Sequence, residues 1–226
     1  MNETLLDAIE INPPGKPQAC IIWLHGLGAN GHDFEPLIPQ LGIVEQHAVR
    51  VVLPHAPNRA VTINNGTVMP AWYDIMLATD FGRAQDRVGI CETEQRLRAL
   101  IAREIENGID SRRIQLAGFS QGGAIVLHTG LRYPQPLAGI LALSTYLPLA
   151  DTLQHEAAAA NRSIPMMMAH GTSDPVVPLA LAEQSRAELE HQGYAVDWHT
   201  YPMQHAVCPD EVQDIRDWIL KVLKAS

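Results

Sequence analysis

The stretch from Ile114 to Val126 places one serine between two glycines, in the order Gly118-Phe119-Ser120-Gln121-Gly122. A short apolar run precedes this motif, and a helical pattern follows it without a connecting loop. Glycine on both sides permits a sharp turn between a strand and a helix, with the serine hydroxyl projecting clear of the sheet. The motif therefore predicts a strand, a strained turn that carries a nucleophilic Ser120, and a helix that starts near Gln121.

Two backbone amides are candidates for an oxyanion hole beside this serine. The first N–H groups of a helix have no acceptor within it, and the helix dipole is positive at that end, so the amide of Gln121 is one predicted donor. The second is the amide of Leu27, in the glycine-rich loop His25 to Gly31 that follows the apolar run Cys20 to Leu24. The glycine spacing of this loop does not match a dinucleotide-binding motif, and no Gly-Lys-Ser/Thr follows, so a phosphate site is not predicted.

Apolar runs alternate with helical patterns along the rest of the chain, which predicts strand–helix–strand units and hence a parallel sheet. The fold class predicted is α/β: one domain over residues 1–226, with a mostly parallel central sheet, helices on both faces and no cap domain. Besides the Ser120 strand, strands are predicted near 4–11, 20–24, 50–54, 137–144, 164–169 and 195–201. Helices are predicted near 34–47, 89–107, 121–133, 179–191 and at the C-terminal end.

An acid and a base follow two later strands. Asp174 comes after the strand at 164–169, and His205 comes after the strand at 195–201. Catalytic groups in parallel sheets gather at the carboxyl ends of the strands, so both should meet Ser120 there. The predicted roles are His205 as the base that takes the serine proton and Asp174 as the group that orients the imidazole.

Other residues compete for these two roles. Asp151 also follows a predicted strand, but the exit from the strand before Asp174 is tighter. His25 and His170 each precede a glycine at a strand end, where a hydrogen bond that shapes the turn is the expected role. The assignment to Asp174 and His205 is therefore preferred.

Residues 55–87 are predicted to form a long irregular excursion, and loops of this length often have a function. The excursion contains Trp72, Ile75 and Leu77, which are predicted to line the acyl side of an open groove together with Val176. The alternative is that its aromatic residues simply pack the excursion against the sheet.

Composition limits the partners and cofactors. The formal net charge of −9 argues against nucleic acid as the main partner. The N-terminal residues do not resemble a signal peptide, and no apolar run is long enough to span a membrane, so stable membrane insertion is not predicted. Three cysteines lie far apart without metal-ligand spacing, which suggests reduced thiols in the cytoplasm. Neither a metal nor a cofactor is predicted.

Five motifs together resemble the carboxylesterase and acyl-protein thioesterase (lysophospholipase-like) family over nearly the whole chain. The resemblance implies an α/β-hydrolase with the Ser120, Asp174 and His205 triad and oxyanion amides at Leu27 and Gln121. It also implies cytoplasmic activity on carboxylic esters, acyl-protein thioesters or lysophospholipids, and the capacity to form a homodimer. Ala29 and Met203 depart from the residues common in relatives, which is expected to alter loop shape. The motifs are 24–28, 72–74, 118–124, 170–178 and 204–205.

Two other functions remain open on sequence alone. The same triad serves serine peptidases and amidases, although the chain is short and a cap is not predicted. A catalytically silent binding protein can also adopt this fold, although the complete triad argues against it. The preferred prediction is a serine hydrolase that cleaves carboxylic esters through an acyl-enzyme intermediate.

Overall fold

The computed structural model describes residues 5–76 and 85–225. Within these ranges, the strands lie in a large sheet and a separate two-stranded sheet. The strands are Ala8–Ile11 (β1), Ala19–Leu24 (β2), Val49–Pro54 (β3), Asn58–Val61 (β4), Thr67–Pro70 (β5), Ile114–Phe119 (β6), Gly139–Leu143 (β7), Met166–Gly171 (β8) and Asp197–Tyr201 (β9).

Helices cover both faces of the large sheet. The α-helices are Ile38–Leu41 (α1), Ile43–His47 (α2), Arg87–Glu106 (α3), Gln121–Arg132 (α4), Ala150–Glu156 (α5), Leu179–His191 (α6) and Pro209–Ala225 (α7). Single 3-10 turns precede or connect several of them. In the described part of the chain, none of these helices is both long and apolar enough to cross a membrane.

The large sheet has the order β1-β3-β2-β6-β7-β8-β9, and only the edge strand β1 runs antiparallel to its neighbour. From β2, the chain first adds β3 on one side of the sheet. It later adds β6, β7, β8 and β9 in turn on the other side. The loops after β2 and β6 therefore diverge at a topological switch point, where ligands bind in open α/β sheets. This is where Leu27 and Ser120 lie.

The core forms because β2 is buried on both faces, and its residues alternate between two clusters. Cys20, Ile22 and Leu24 pack with α3 and α4 on one face. Ala19, Ile21 and Trp23 pack with α1 and α7 on the other. Side chains of a strand alternate between faces, so a continuous apolar run is the pattern expected of a central parallel strand.

The predicted fold class is confirmed, and two predicted elements are wrong in detail. The helix predicted over 34–47 is broken into 3-10 turns and two short α-helices, because Pro36, Pro39 and the left-handed Gly42 interrupt its hydrogen bonding. The excursion predicted to be irregular contains the antiparallel β4–β5 hairpin, whose turn uses the left-handed residues Asn65 and Gly66. In the described ranges, this hairpin is the main insertion near the site, and no separate cap domain is present.

A buried carboxyl group near the start of α7 has no charged partner among residues 5–76 and 85–225. Glu211 is fully buried, and neither carboxyl oxygen completes a hydrogen bond with the described residues. Burial raises the pKa of Glu211 to about 8; the Cys208 backbone, which lies close without well-formed hydrogen-bond geometry, opposes the rise, and Asp214 adds to it. Glu211 is therefore neutral in the folded protein at pH 7.

The Glu211→Gln variant tests this burial. The unfolded side chain ionises near pH 4.5 and the folded one near pH 8, so the wild-type protein loses stability as the pH rises between these values. As the pH is raised from 4.5 to 8.5, the free energy of unfolding of Glu211→Gln should rise relative to that of the wild type by up to ~5 kcal/mol. Urea unfolding at both pH values measures the difference.

Glu104→Gln is the matched control. Glu104 is equally buried but pairs with Arg50 and Arg103, so its substitution should lower stability at both pH values. If wild type and Glu211→Gln showed parallel pH dependence, the assignment of a neutral buried Glu211 would be wrong.

Candidate active site

Ser120 occupies a strained backbone conformation between β6 and α4. Its φ is 55° and its ψ is −118°, a region that non-glycine residues rarely adopt. Surrounding hydrogen bonds hold it there: the Ser120 amide donates to Leu143 O at 2.8 Å, and Thr145 Oγ1 donates to Ser120 O at 2.6 Å. Such strain persists only where the structure around it determines the conformation, as at catalytic turns.

The two motif glycines are needed for close packing rather than for an unusual backbone angle. Neither Gly118 nor Gly122 has a positive φ; the positive φ belongs to Ser120. A Cβ atom on Gly118 would lie 2.5 Å from the backbone of Gly122, and one on Gly122 would lie 2.4 Å from Leu24 O. The two glycines therefore do not supply the backbone freedom expected of them; they let α4 begin directly against β6 and β2.

Asp174 and His205 lie in contact at the same edge of the sheet. Asp174 Oδ2 accepts a hydrogen bond from His205 Nδ1 at 2.6 Å, and Asp174 Oδ1 accepts the amides of Val176 and Val177 at 2.8 and 2.9 Å. The carboxylate is buried and the imidazole is 15% exposed. Because a carboxylate can only accept here, Nδ1 carries the proton and Nε2 is left as the basic nitrogen.

The imidazole of His205 packs against the ring of Phe119, next to the serine turn. The two rings contact each other at a centroid distance of 4.7 Å, and Phe119 directly precedes Ser120. The three residues predicted as a triad therefore gather at the carboxyl edge of β6, β8 and β9, as the strand order requires.

The competing residues have structural roles. His170 Nε2 lies 2.8 Å from Val177 O and 3.4 Å from Asp174 Oδ2, so it braces the acid loop. His25 bonds Gly26 O through Nδ1 and accepts the Ala56 amide at Nε2. Burial is the main cause that lowers the pKa of both histidines and keeps them neutral. Asp151 is exposed in the first turn of α5.

Leu27, Ser120 and Gln121 line one cavity of about 340 Å³. The Gln121 amide belongs to the first turn of α4, whose N–H groups have no acceptor within the helix. Nearby, the glycine-rich loop at 25–31 is held against the β4–β5 hairpin, since the Gly28 amide donates to Pro70 O at 2.8 Å. Both candidate donor residues therefore border the same cavity as Ser120.

The predicted acyl-side residues separate into three cases. Ile75 and Val176 line the cavity. Trp72 does not, because its side chain is fully buried behind the cavity wall, so that prediction is corrected. Leu77 lies outside the described residues. The cavity also includes residues that the sequence did not predict, namely Ile63, Asn64, Tyr73, Met76 and Tyr146. Tyr73 and Met76 could have been found, because they are next to the predicted residues Trp72 and Ile75.

One cluster could offer metal ligands, between α3 and α4. Ligand atoms of Cys91, Glu94 and His128 lie within 4.8 Å of one another. However, Arg98 bonds Glu94 Oε1 through two nitrogens, and burial raises the pKa of the Cys91 thiol. A guanidinium on the carboxylate and a protonated thiol both disfavour a cation, so we interpret the cluster as an ion-pair network that joins the two helices.

Gly122→Ala tests the packing of the serine turn. The added methyl group would overlap the Leu24 carbonyl, which is backbone and cannot rotate away, so we expect a loss of ~3 kcal/mol or more in stability. Gly15→Ala is the control, since a Cβ there meets nothing within 4 Å. Thermal unfolding compares the two variants, and equal melting temperatures would contradict the close-approach explanation.

Comparison with known proteins agrees with this geometry. Residues 7–223 match the model of the phospholipase/carboxylesterase family. Acyl-protein thioesterase 1 of Mycosarcoma maydis is 37% identical and aligns with 98% of this chain and 99% of its own length. The protein of that name from Neurospora crassa is 39% identical and aligns with 91% of this chain and 87% of its own.

Solved structures give the same result. Acyl-protein thioesterase 2 of Zea mays superposes with a TM-score of 0.86 at 27% identity, covering 96% of this chain and 99% of that one. SOBER1 of Arabidopsis thaliana superposes with a TM-score of 0.85 at 30% identity, covering 91% and 99%. With both sequence and fold in agreement over almost its whole length, the chain belongs to the phospholipase/carboxylesterase family of α/β-hydrolases.

Proposed function

We propose that this protein hydrolyses carboxylic esters and acyl thioesters through Ser120, His205 and Asp174. The observation that carries the proposal is the 2.6 Å bond between Asp174 and His205 at the edge where the strained Ser120 opens onto an apolar-lined cavity. Family membership supports a hydrolase of the esterase and thioesterase type.

The mechanism follows from the protonation states. His205 Nε2 takes the Ser120 proton as the serine oxygen adds to the acyl carbonyl carbon, and the Asp174 carboxylate stabilises the imidazolium that forms. The amides of Leu27 and Gln121 stabilise the tetrahedral oxyanion, each worth ~10²–10³ in rate. Collapse breaks the bond to the alcohol or thiol, which receives the proton, and water then cleaves the acyl-enzyme by the same steps.

The relatives' names point to acyl groups carried on proteins. We extend this to the present chain: the acyl chain lies in the cavity while the leaving group stays outside, where exposed Val176 and Ile63 form the rim. A site that encloses only the acyl portion can accept an alcohol, a glycerophosphate or a protein thiol as the leaving group.

Ser120→Ala is expected to abolish hydrolysis of p-nitrophenyl octanoate and octanoyl thioesters, with a fall in kcat of ~10⁴-fold or more. The variant should also lose labelling by a fluorophosphonate, which reacts with an activated serine. Circular dichroism checks that the fold is unchanged, and Ser173→Ala, an exposed serine in the Asp174 loop, is the control.

Three outcomes separate the alternatives. Retained activity in Ser120→Ala would overturn the mechanism. Faster turnover of matched anilides than of esters would favour the peptidase or amidase alternative. No activity or labelling in the wild type would favour a silent binding protein.

Ile75→Ala tests the location of the acyl chain. Removing this part of the apolar wall should lower kcat/KM for octanoyl and longer esters by roughly 5- to 30-fold, because ~1–2 kcal/mol of contact is lost, and should leave acetyl esters unchanged. Val68→Ala is the control, since Val68 is exposed on the neighbouring β4–β5 hairpin and does not line the cavity. An unchanged chain-length profile would contradict this location.

A further inference from the structure

Trp72 forms hydrogen bonds to both segments that carry the proposed oxyanion amides, the loop that contains Leu27 and the first turn of α4. Its indole Nε1 donates to His25 O at 2.8 Å, two residues before Leu27. Its backbone amide donates to the side-chain Oε1 of Gln121 at 2.8 Å. One fully buried residue thus connects the loop after β2 with the first turn of α4.

The side chain of Gln121 completes this connection. It is buried, and besides accepting from Trp72 it donates through Nε2 to Tyr73 O at 2.6 Å. The residue that supplies one oxyanion amide therefore uses its side chain to hold the backbone at 72–73. Both hydrogen-bonding atoms of this amide side chain are satisfied, as a buried polar group requires.

Two further contacts fix Trp72 itself. Its ring packs on His25 at a centroid distance of 4.9 Å, and Thr93 Oγ1 on α3 donates to its backbone carbonyl. The carbonyl that accepts the indole hydrogen bond also lies against α4, since a Cβ on Gly122 would come within 2.6 Å of His25 O. The loop, the indole and the helix start therefore form one rigid unit.

We propose that Trp72 is a positioning residue, which together with the Gln121 side chain sets the separation of the Leu27 and Gln121 amides. The proposal rests on the function proposed above. Oxyanion donors act only when they lie 2.7–3.1 Å from the position of the developing charge. An error of about 1 Å costs ~10²-fold in rate, so a bond that fixes both donors affects the transition state more than substrate binding.

Trp72→Phe removes the indole N–H and keeps an aromatic ring. We expect kcat for p-nitrophenyl octanoate to fall by ~10- to 100-fold while KM changes less than about 3-fold. Trp23→Phe is the matched control, because Trp23 is equally buried in β2 but its indole N–H has no hydrogen-bond partner in the described ranges. Its kcat should stay within about 3-fold of wild type.

A transition-state analogue distinguishes positioning from general loss of structure. Ser120 adds to the carbonyl carbon of an octyl trifluoromethyl ketone, its proton moves to His205, and the carbonyl oxygen becomes the oxyanion. In Trp72→Phe, the inhibition constant of this ketone should rise by the same factor as kcat falls. The inhibition constant of octanoate, which forms no oxyanion by addition, should change less than about 2-fold. Unchanged ketone affinity, or a kcat loss equal to that of Trp23→Phe, would overturn the proposal.

Gln121→Met provides an independent variant, since it keeps the backbone amide and removes both side-chain bonds. It should show the same loss of kcat and ketone affinity, and it decides the matter if Trp72→Phe does not fold. The double variant should lose less than the product of the single effects, because both act on one geometry. If Ser120→Ala remained active, the proposed function itself would fail; if Ser120→Ala were inactive and Trp72→Phe matched Trp23→Phe, only this inference would fail.

Discussion

The close approach of α4 to the carboxyl end of β2 is the constraint on which the site depends. There is no space for a Cβ at Gly122, where the nearest atom is the Leu24 carbonyl, or at Gly118, where it is the Gly122 backbone. This packing forces the intervening Ser120 into its strained conformation. The strain is sustained by the hydrogen bonds from Ser120 to Leu143 and from Thr145 to Ser120. Core packing on both sides thus stabilises the turn that carries the proposed nucleophile.

The topology of the sheet assembles the remaining groups. Because the connections after β2 and β6 leave the sheet in opposite directions, a crevice lies between the two loops that carry Leu27 and Ser120. Asp174 and His205, the proposed acid and base, follow β8 and β9 at the same edge, where their 2.6 Å bond selects the tautomer of His205. The buried histidines His25 and His170 form hydrogen bonds that shape the neighbouring turns.

The sequence predicted the fold class and the sheet edge at which Ser120, Asp174 and His205 lie, because the signals for both are local. An apolar run ending in a glycine-rich turn identifies a buried strand and its exit, whichever tertiary neighbours it has. The prediction was wrong where proline and glycine break a helix between 34 and 47, and where residues 58–70 form a hairpin. The two strands of this hairpin have four residues each and are mostly exposed or half-buried, so they lack the continuous apolar run that marks the strands of the large sheet.

By itself, the sequence determined the strand–turn–helix around Ser120 and the order of serine, aspartate and histidine, since both are properties of the chain. Only the tertiary structure decided which backbone atoms the glycines contact and that His205 bonds Asp174. It alone also decided that Trp72 is buried and bonds His25 O and the Gln121 side chain. Trp72 resembled a groove-lining aromatic in the sequence. The structure buries it and directs its indole at His25 O. The physical reason is that burial and hydrogen-bond partners are set by neighbours brought together through folding, which a one-dimensional pattern does not contain.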